Sequence, residues 1–281
     1  MTTTRTITRT ALVTGASSGI GEETARRLQG LGYTVYGAAR RTDRLEKLAA
    51  EGVRPLAMDV TDDASMTAGI ARIIEETGRI DVLINNAGYG SYGAIEDVPI
   101  DEARRQFEVN LFGLGRLVQL VTPHMRGQKS GTIINISSMG GRLTTPLGGW
   151  YHATKYAVEA LSDALRMELK PFGIDVVLVE PGGIRTEWAG IAADHLEETA
   201  EDSAYSDQIR AVAGSMRNES VQRRQSPPAV IANTVERIVT ARRPRTRYAV
   251  GFMAKPLITA RRVLPDRAFD RVISAALGVP R

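Results

Sequence analysis

The chain predicts one α/β domain built on a doubly wound parallel sheet of about seven strands, with helices on both faces. Three observations carry this. Apolar strand-like runs alternate along the chain with helical patterns, the order that produces parallel sheets. Several runs are continuously apolar, as strands buried on both faces must be. Polar or glycine clusters follow the strands at 14–21, 40–41, 59–60, 85–90, 137–141 and 181–186, where such sheets bind ligands.

In order, strands are expected at Ala11–Thr14, Thr34–Ala39, Arg54–Met58, Val82–Asn85, Thr132–Ser137, Asp175–Glu180 and Arg247–Val250. Helices are expected near 19–31, 43–51, 62–78, 101–126, 150–171 and 227–241. A length of 281 residues suits one large domain, and no internal repeat or low-complexity linker divides it. Residues 1–9 read as a flexible lead without the apolar stretch of a secretory signal, 10–253 as the main domain, and 254–281 as a basic, amphipathic helical extension.

Composition excludes several functions. No apolar run approaches the ~20 residues of a membrane span. There are no cysteines, so disulfides and thiolate metal sites are excluded, and a reducing, cytoplasmic setting is expected. His124, His152 and His195 lack ligand spacing and read as structural or solvated; no metal is expected. Asn135-Ile136-Ser137 falls in a buried strand and reads as a chance sequon.

The first candidate site is Thr14-Gly15-Ala16-Ser17-Ser18-Gly19-Ile20-Gly21, between an apolar run and a helical one. Glycine permits a sharp turn and a close backbone approach, and the first helix amides face an anion. The second is Trp150-Tyr151-His152-Ala153-Thr154-Lys155, with Ser138 thirteen residues before Tyr151. On a helix Tyr151 and Lys155 lie one turn apart on one face. A cation there favours the phenolate, so a lowered Tyr151 pKa is expected.

Taken together, these clusters resemble the short-chain dehydrogenase/reductase superfamily, over about residues 10–250 and with its motifs in family order. The resembling parts are Thr14 to Gly21, Asp59-Val60, Asn85-Asn86-Ala87-Gly88, Asn110, Ser138, Tyr151 with Lys155, and Pro181-Gly182. The resemblance implies a Rossmann-type fold and a catalytic tetrad of Asn110, Ser138, Tyr151 and Lys155. Ser138 would hydrogen-bond the substrate oxygen, and Tyr151 would give or take its proton. Lys155 would also bind the nicotinamide ribose, and Asn110 would position a water in a proton relay. The family's spacing to tyrosine selects Ser138 over Ser137.

The cofactor contacts implied are Gly15, Ser17, Ser18, Gly19, Ile20, Gly21, Asp59, Val60, Asn85, Ala87, Gly88, Tyr151, Lys155, Pro181, Gly182, Ile184 and Thr186. Asn86 would instead tie strands together. Without the other motifs, Asp59 would read as a helix cap for the Thr61-Asp62-Asp63 start. Charge argues for NADP(H) over NAD(H). The second strand ends at Ala39, where NAD-selective sheets carry an acid, and Arg40 and Arg41 follow, suited to a 2′-phosphate.

Residues 184–226 correspond to the family's substrate lid. With Met139, Leu143, Trp150, Trp188 and Tyr89 they suggest an apolar pocket for a carbonyl or secondary alcohol, of steroid, retinoid or other lipid-like type. Residues 1–216 hold 22 Lys/Arg and 28 Asp/Glu, whereas 217–281 hold 14 and 4. The basic tail is expected to pack on the lid or a second subunit, with an anionic membrane surface as the other reading. A homodimer or homotetramer is expected and nucleic acid is not. The leading function is an oxidoreductase; the alternative is a catalytically silent dinucleotide-binding scaffold.

Overall fold

The apolar runs form the strands β1 Thr10–Thr14, β2 Thr34–Ala39, β3 Arg54–Ala57, β4 Val82–Asn85, β5 Gly131–Ile136, β6 Ile174–Pro181 and β7 Arg247–Val250. They make one sheet in the order β3-β2-β1-β4-β5-β6-β7, parallel at every pairing. The computed structural model describes residues 8–198 and 203–279. Residues 1–7 of the expected lead, 199–202 of the expected lid and 280–281 of the extension lie outside the described residues.

Strand residues alternate between two helical layers. Ala11, Val13, Ile84, Ile134 and Val177 face α1 (Gly19–Gly30) and α10 (Ala229–Thr240), through Ala25, Leu28, Ile231 and Val235. Leu12, Leu83, Ile133 and Val176 face α3 (Asp63–Thr77), α5 (Gly113–Gln128) and α6 (Gly149–Leu169), through Ile70, Ile73, Leu117, Val121 and Val158. A short α2 (Glu46–Ala50) lies between β2 and β3. Both faces being covered explains why these strands carry apolar residues continuously. Asn135, in the chance sequon, is fully buried.

Strand order reverses at β1, which pairs with β2 on one side and β4 on the other. The crevice beyond the carboxyl ends of β1 and β4 is therefore where a ligand fits this topology.

The helix expected over 101–126 is not continuous. It is α4 (Ile100–Phe107), a π-helical turn at Glu108–Phe112, then α5. The wider turn shifts the helix face by one residue, a feature common at functional sites. Gly113 follows it: a Cβ there would lie 2.2 Å from the Val60 carbonyl oxygen. The segment expected to form the lid holds α7 (Trp188–Glu198), α8 (Ser206–Arg217) and α9 (Glu219–Arg224).

The basic extension forms α11 (Ala254–Val263) and α12 (Asp266–Leu277). Their apolar faces turn inward. Phe269 and Ile273 bury Leu143, joined by Met139, Leu257 and Leu264, while Leu277 and Val279 reach the lid cluster of Ala192, Leu196 and Val212. Arg262, Arg267 and Arg271 remain exposed. No described helix is long and apolar enough to cross a membrane.

Because Phe269 is a buried anchor, Phe269→Ala should lower unfolding free energy by about 3 kcal/mol. Denaturant unfolding checks this; an unchanged midpoint would mean the extension is not part of the cooperative core.

Candidate active site

The glycine turn is built by backbone geometry. Gly15 and Gly19 have φ of +64° and +57°, a region that favours glycine. A Cβ at Gly21 would lie 2.2 Å from the Gly15 carbonyl oxygen and 2.5 Å from Asn86 Nδ2, so the turn closes only around a bare backbone. Ser18 occupies the N-cap of α1 in extended conformation without a side-chain cap bond. With Ser17 and Ile20 beside it, this end of α1 offers its first amides to an anion. Asn86 locks the turn to β4, as its expected tying role requires: Nδ2 donates to the carbonyls of Thr14 (2.9 Å) and Gly15 (3.2 Å). The Thr14 hydroxyl accepts from the amides of Asn86 and Ala87, each at 3.0 Å.

Beyond β4 the chain passes Gly88, where a Cβ would stand 3.0 Å from Asn110 Oδ1 and 3.7 Å from Lys155 Nζ. Asn110 sits in the π-helical turn. Its Oδ1 accepts from the Tyr89 amide (3.0 Å), and its Nδ2 donates to the Tyr89 carbonyl (2.9 Å) and Thr154 Oγ1 (3.1 Å). Both ends of the amide are engaged, so the side chain braces the segment after β4 against α6.

Tyr151 and Lys155 lie one turn apart on α6, both buried. Lys155 Nζ donates to the Ile136 carbonyl at 3.0 Å and stands 6.0 Å from the Tyr151 ring centroid. Burial pulls Lys155 down to about 8, against the opposing charge of Glu159. Burial pushes Tyr151 up to about 12, against a hydrogen bond with Ser138. The expected lowering of the phenol is therefore reversed in this structure: desolvation of the phenolate outweighs its neighbours. Ser138 Oγ also accepts from the Gly140 amide at 2.9 Å, which aims it from the end of β5.

One participant, Tyr92, was not foreseen; it joins Trp188, expected in the pocket wall, and His152, expected to be structural or solvated. Tyr92 packs tilted against Tyr151 and edge-on to Trp188, each at 5.8 Å between ring centroids, and burial raises its pKa. Trp188 completes the group, 5.3 Å from Tyr151, over Gly90. His152 joins the loop after β5 to α6. Its Nε2 accepts from the Thr145 amide (3.1 Å), so Nδ1 carries the proton and donates to the Gly140 carbonyl (2.9 Å). Burial lowers its pKa, keeping it neutral and structural. Tyr92 carries no sequence signal apart from its place after the Asn85–Gly88 cluster.

The expected pocket wall is redistributed. Trp188 faces Tyr151, but Leu143 is fully buried beneath α12 with Met139 beside it. Trp150 is half-buried, its indole nitrogen enclosed without a hydrogen-bond partner among the described residues.

At the other end of the crevice, Arg40 and Arg41 are exposed after β2, and neither forms an ion pair among the described residues. Arg44 pairs instead with Glu187 at 3.3 Å. Asp59 Oδ1 accepts from the Thr61 amide (2.9 Å) and hydroxyl (2.8 Å) beside Val60, while the cap of α3 is Asp62. The Asn85 side-chain amide donates to Asn135 Oδ1 (2.9 Å) inside the sheet, so its side chain is turned away from the crevice. Pro181 ends β6, the Gly182 amide donates to Val250, and Ile184 is buried. Thr186 crosses to the glycine turn, 3.1 Å from where a Gly19 Cβ would stand. The bare cradle at Gly15, Gly19, Gly21 and Gly88, with the uncapped end of α1 and the unpaired arginines, fits an extended dinucleotide.

Comparison with known proteins agrees. The family model described as short chain dehydrogenase matches residues 9–196. The chain is 38% identical over 257 residues to the 3-ketodihydrosphingosine reductase of Bacteroides thetaiotaomicron, covering 91% of this chain and 93% of that one. A short-chain dehydrogenase from Streptomyces avermitilis superposes with TM-score 0.80 at 32% identity, covering 98% and 99% of the two chains. A metagenomic short-chain oxidoreductase in complex with NADP gives TM-score 0.68 at 29% identity, covering 86% and 96%.

Since no side chain fits at the turn, Gly21→Ala should weaken dinucleotide binding by at least ~10-fold. Titration calorimetry reads this; unchanged affinity would contradict the close approach.

Proposed function

The chain belongs to the short-chain dehydrogenase/reductase family, and from that premise we propose an NADP(H)-dependent reductase of an apolar ketone, with Tyr151 as proton donor. It is an oxidoreductase interconverting carbonyl and alcohol groups; the cofactor preference, substrate class and tyrosine mechanism are the proposal. One observation carries it: Tyr151 lies buried beneath Tyr92 and Trp188, with Lys155 one turn behind it on α6 and Ser138 acting on its phenol from the end of β5.

The residues divide the work. The end of α1 with Gly15, Ser17, Ser18 and Gly19 would hold the pyrophosphate, Lys155 the nicotinamide ribose, and Arg40 with Arg41 the 2′-phosphate. The bound nicotinamide supplies or accepts the hydride. Ser138 Oγ hydrogen-bonds the substrate oxygen as charge develops on it. Tyr151 donates the proton; with its pKa near 12 it enters the reaction protonated at neutral pH, the form that reduction requires. Lys155, buried and held by the Ile136 carbonyl, places a positive charge beneath the phenol. Tyr92 and Trp188 exclude water from the recess.

For substrate, the aromatic cover and the lid cluster of Leu196, Ile209 and Val212 favour an apolar molecule. The relative named as a 3-ketodihydrosphingosine reductase makes a lipid-like ketone the first class to test. Exposed Phe112, in the turn before α5, and Tyr156 and Met167 on α6 support assembly with a second copy.

Tyr151→Phe should lower turnover by ~10²-fold or more while leaving NADPH affinity within ~3-fold. Retained turnover would refute the mechanism. Replacing Arg40 and Arg41 with Ala should cut the NADPH-over-NADH preference by about 10- to 100-fold, the worth of a charge-assisted contact. Comparable efficiencies with both cofactors in the unaltered protein would refute the NADP(H) assignment.

A further inference from the structure

Behind Lys155 lies a second set of ionisable groups that the reaction as described does not use. Glu159 follows Lys155 by one turn of α6, and Glu180 lies on β6; their side chains are only 6% and 5% exposed. Both converge on one nitrogen. Arg247 Nε, from β7, donates to Glu159 Oε2 at 3.0 Å and stands 3.5 Å from Glu180 Oε1. The terminal nitrogen of the same guanidinium is spent on Asp163 at 2.6 Å, and Asp163 also pairs with Arg166. Arg142, after β5, reaches Glu159 at 3.7 Å.

The single Nε–H serves Glu159. Among the described residues, Glu159 Oε1 and Glu180 Oε1 are both left buried without a hydrogen-bond donor. Two ionised carboxylates would thus leave two acceptors orphaned in a desolvated place, a costly arrangement. One proton removes the difficulty, because a protonated Glu180 donates to Glu159 and satisfies both carboxyl groups at once.

We propose that Glu159 and Glu180 share one proton at neutral pH beneath Arg247, and that this pair sets the charge facing Lys155, making both glutamates positioning residues for the acid/base centre. This rests on the reading of Tyr151 and Lys155 given above. Burial, with the Glu159 charge second, lifts Glu180 to about 7, against Arg142 and Arg247. The charge of Glu159 holds Lys155 protonated against its own burial. The charged groups facing the pair are Lys155 and Asp163 on α6, Arg247 on β7 and Arg142 on the loop after β5.

Infrared titration of the protein alone tests the shared proton without any substrate. The unaltered protein should show a carboxylic-acid C=O band that persists to neutral pH and disappears as pH rises through about 7. Glu180→Gln should abolish that band, and Glu159→Gln should move its loss to lower pH. A protein with no such band above the ordinary carboxylate range, or a band unaffected by either substitution, overturns the proposal. The unaltered protein decides the first point even if a variant does not fold. In pH profiles of carbonyl reduction, Glu159→Gln should shift the alkaline limb down by roughly one unit, since Lys155 loses a facing negative charge. An unmoved limb would show that the pair is structural only. A band without carbonyl reduction would overturn the functional reading and leave the shared proton standing.

Discussion

The side-chain amide of Asn110 is the joint on which the rest of the site depends. It takes the Tyr89 backbone at both its amide and carbonyl and reaches Thr154 on α6, coupling the end of β4 to the helix that carries Tyr151 and Lys155. Thr154 continues the link by donating to the Tyr151 carbonyl at 2.8 Å. The π-helical turn at Glu108–Phe112 makes this reach available, because its extra residue turns Asn110 inward before α5 resumes against β3's loop. Once β4 and α6 are fixed to each other, Gly88 is brought beside Lys155, and the glycine turn is held by Asn86 on the same strand end. The proposed dinucleotide crevice and acid/base centre thereby share one hydrogen-bonded brace.

The electrostatics follow from burial more than from pairwise charge. Tyr151 rises and Lys155 falls because both lose water, and the adjacent cation does not reverse that order. A phenol that keeps its proton in an apolar recess is a sound donor to a developing alkoxide. It also means that the positive charge of Lys155 has to be maintained from behind, where Glu159, Glu180 and Arg247 form a network spanning α6, β6 and the final strand. The C-terminal segment takes part in the chemistry's support at two points: Arg247 under the centre, and α12 over the Leu143 loop.

Much of this was legible in the chain. Continuous apolar strands gave the two-sided sheet, and the spacing of Ser138, Tyr151 and Lys155 placed them together because β5 and α6 are each regular. The failures share a cause. A π-helical turn keeps helical composition, so periodicity over 101–126 cannot reveal it. The cluster at 85–88 does not reveal that the alternation of β4 turns the Asn85 side chain toward Asn135. Leu143 has the character of a pocket wall, and only the docking of Phe269 and Ile273, over a hundred residues later, removes it from the open surface. His152 was expected to be structural, yet its specific bridge from Thr145 to Gly140 depends on loop conformation that residue types do not encode.

The most direct measurement is nicotinamide absorbance with NADPH and NADH across a panel of ketones and secondary alcohols graded from short polar to lipid-like. The account predicts substrate-dependent NADPH oxidation that rises with the apolar character of the ketone. Binding of NADPH with no turnover of any carbonyl or alcohol would contradict it and leave a dinucleotide-binding scaffold in its place.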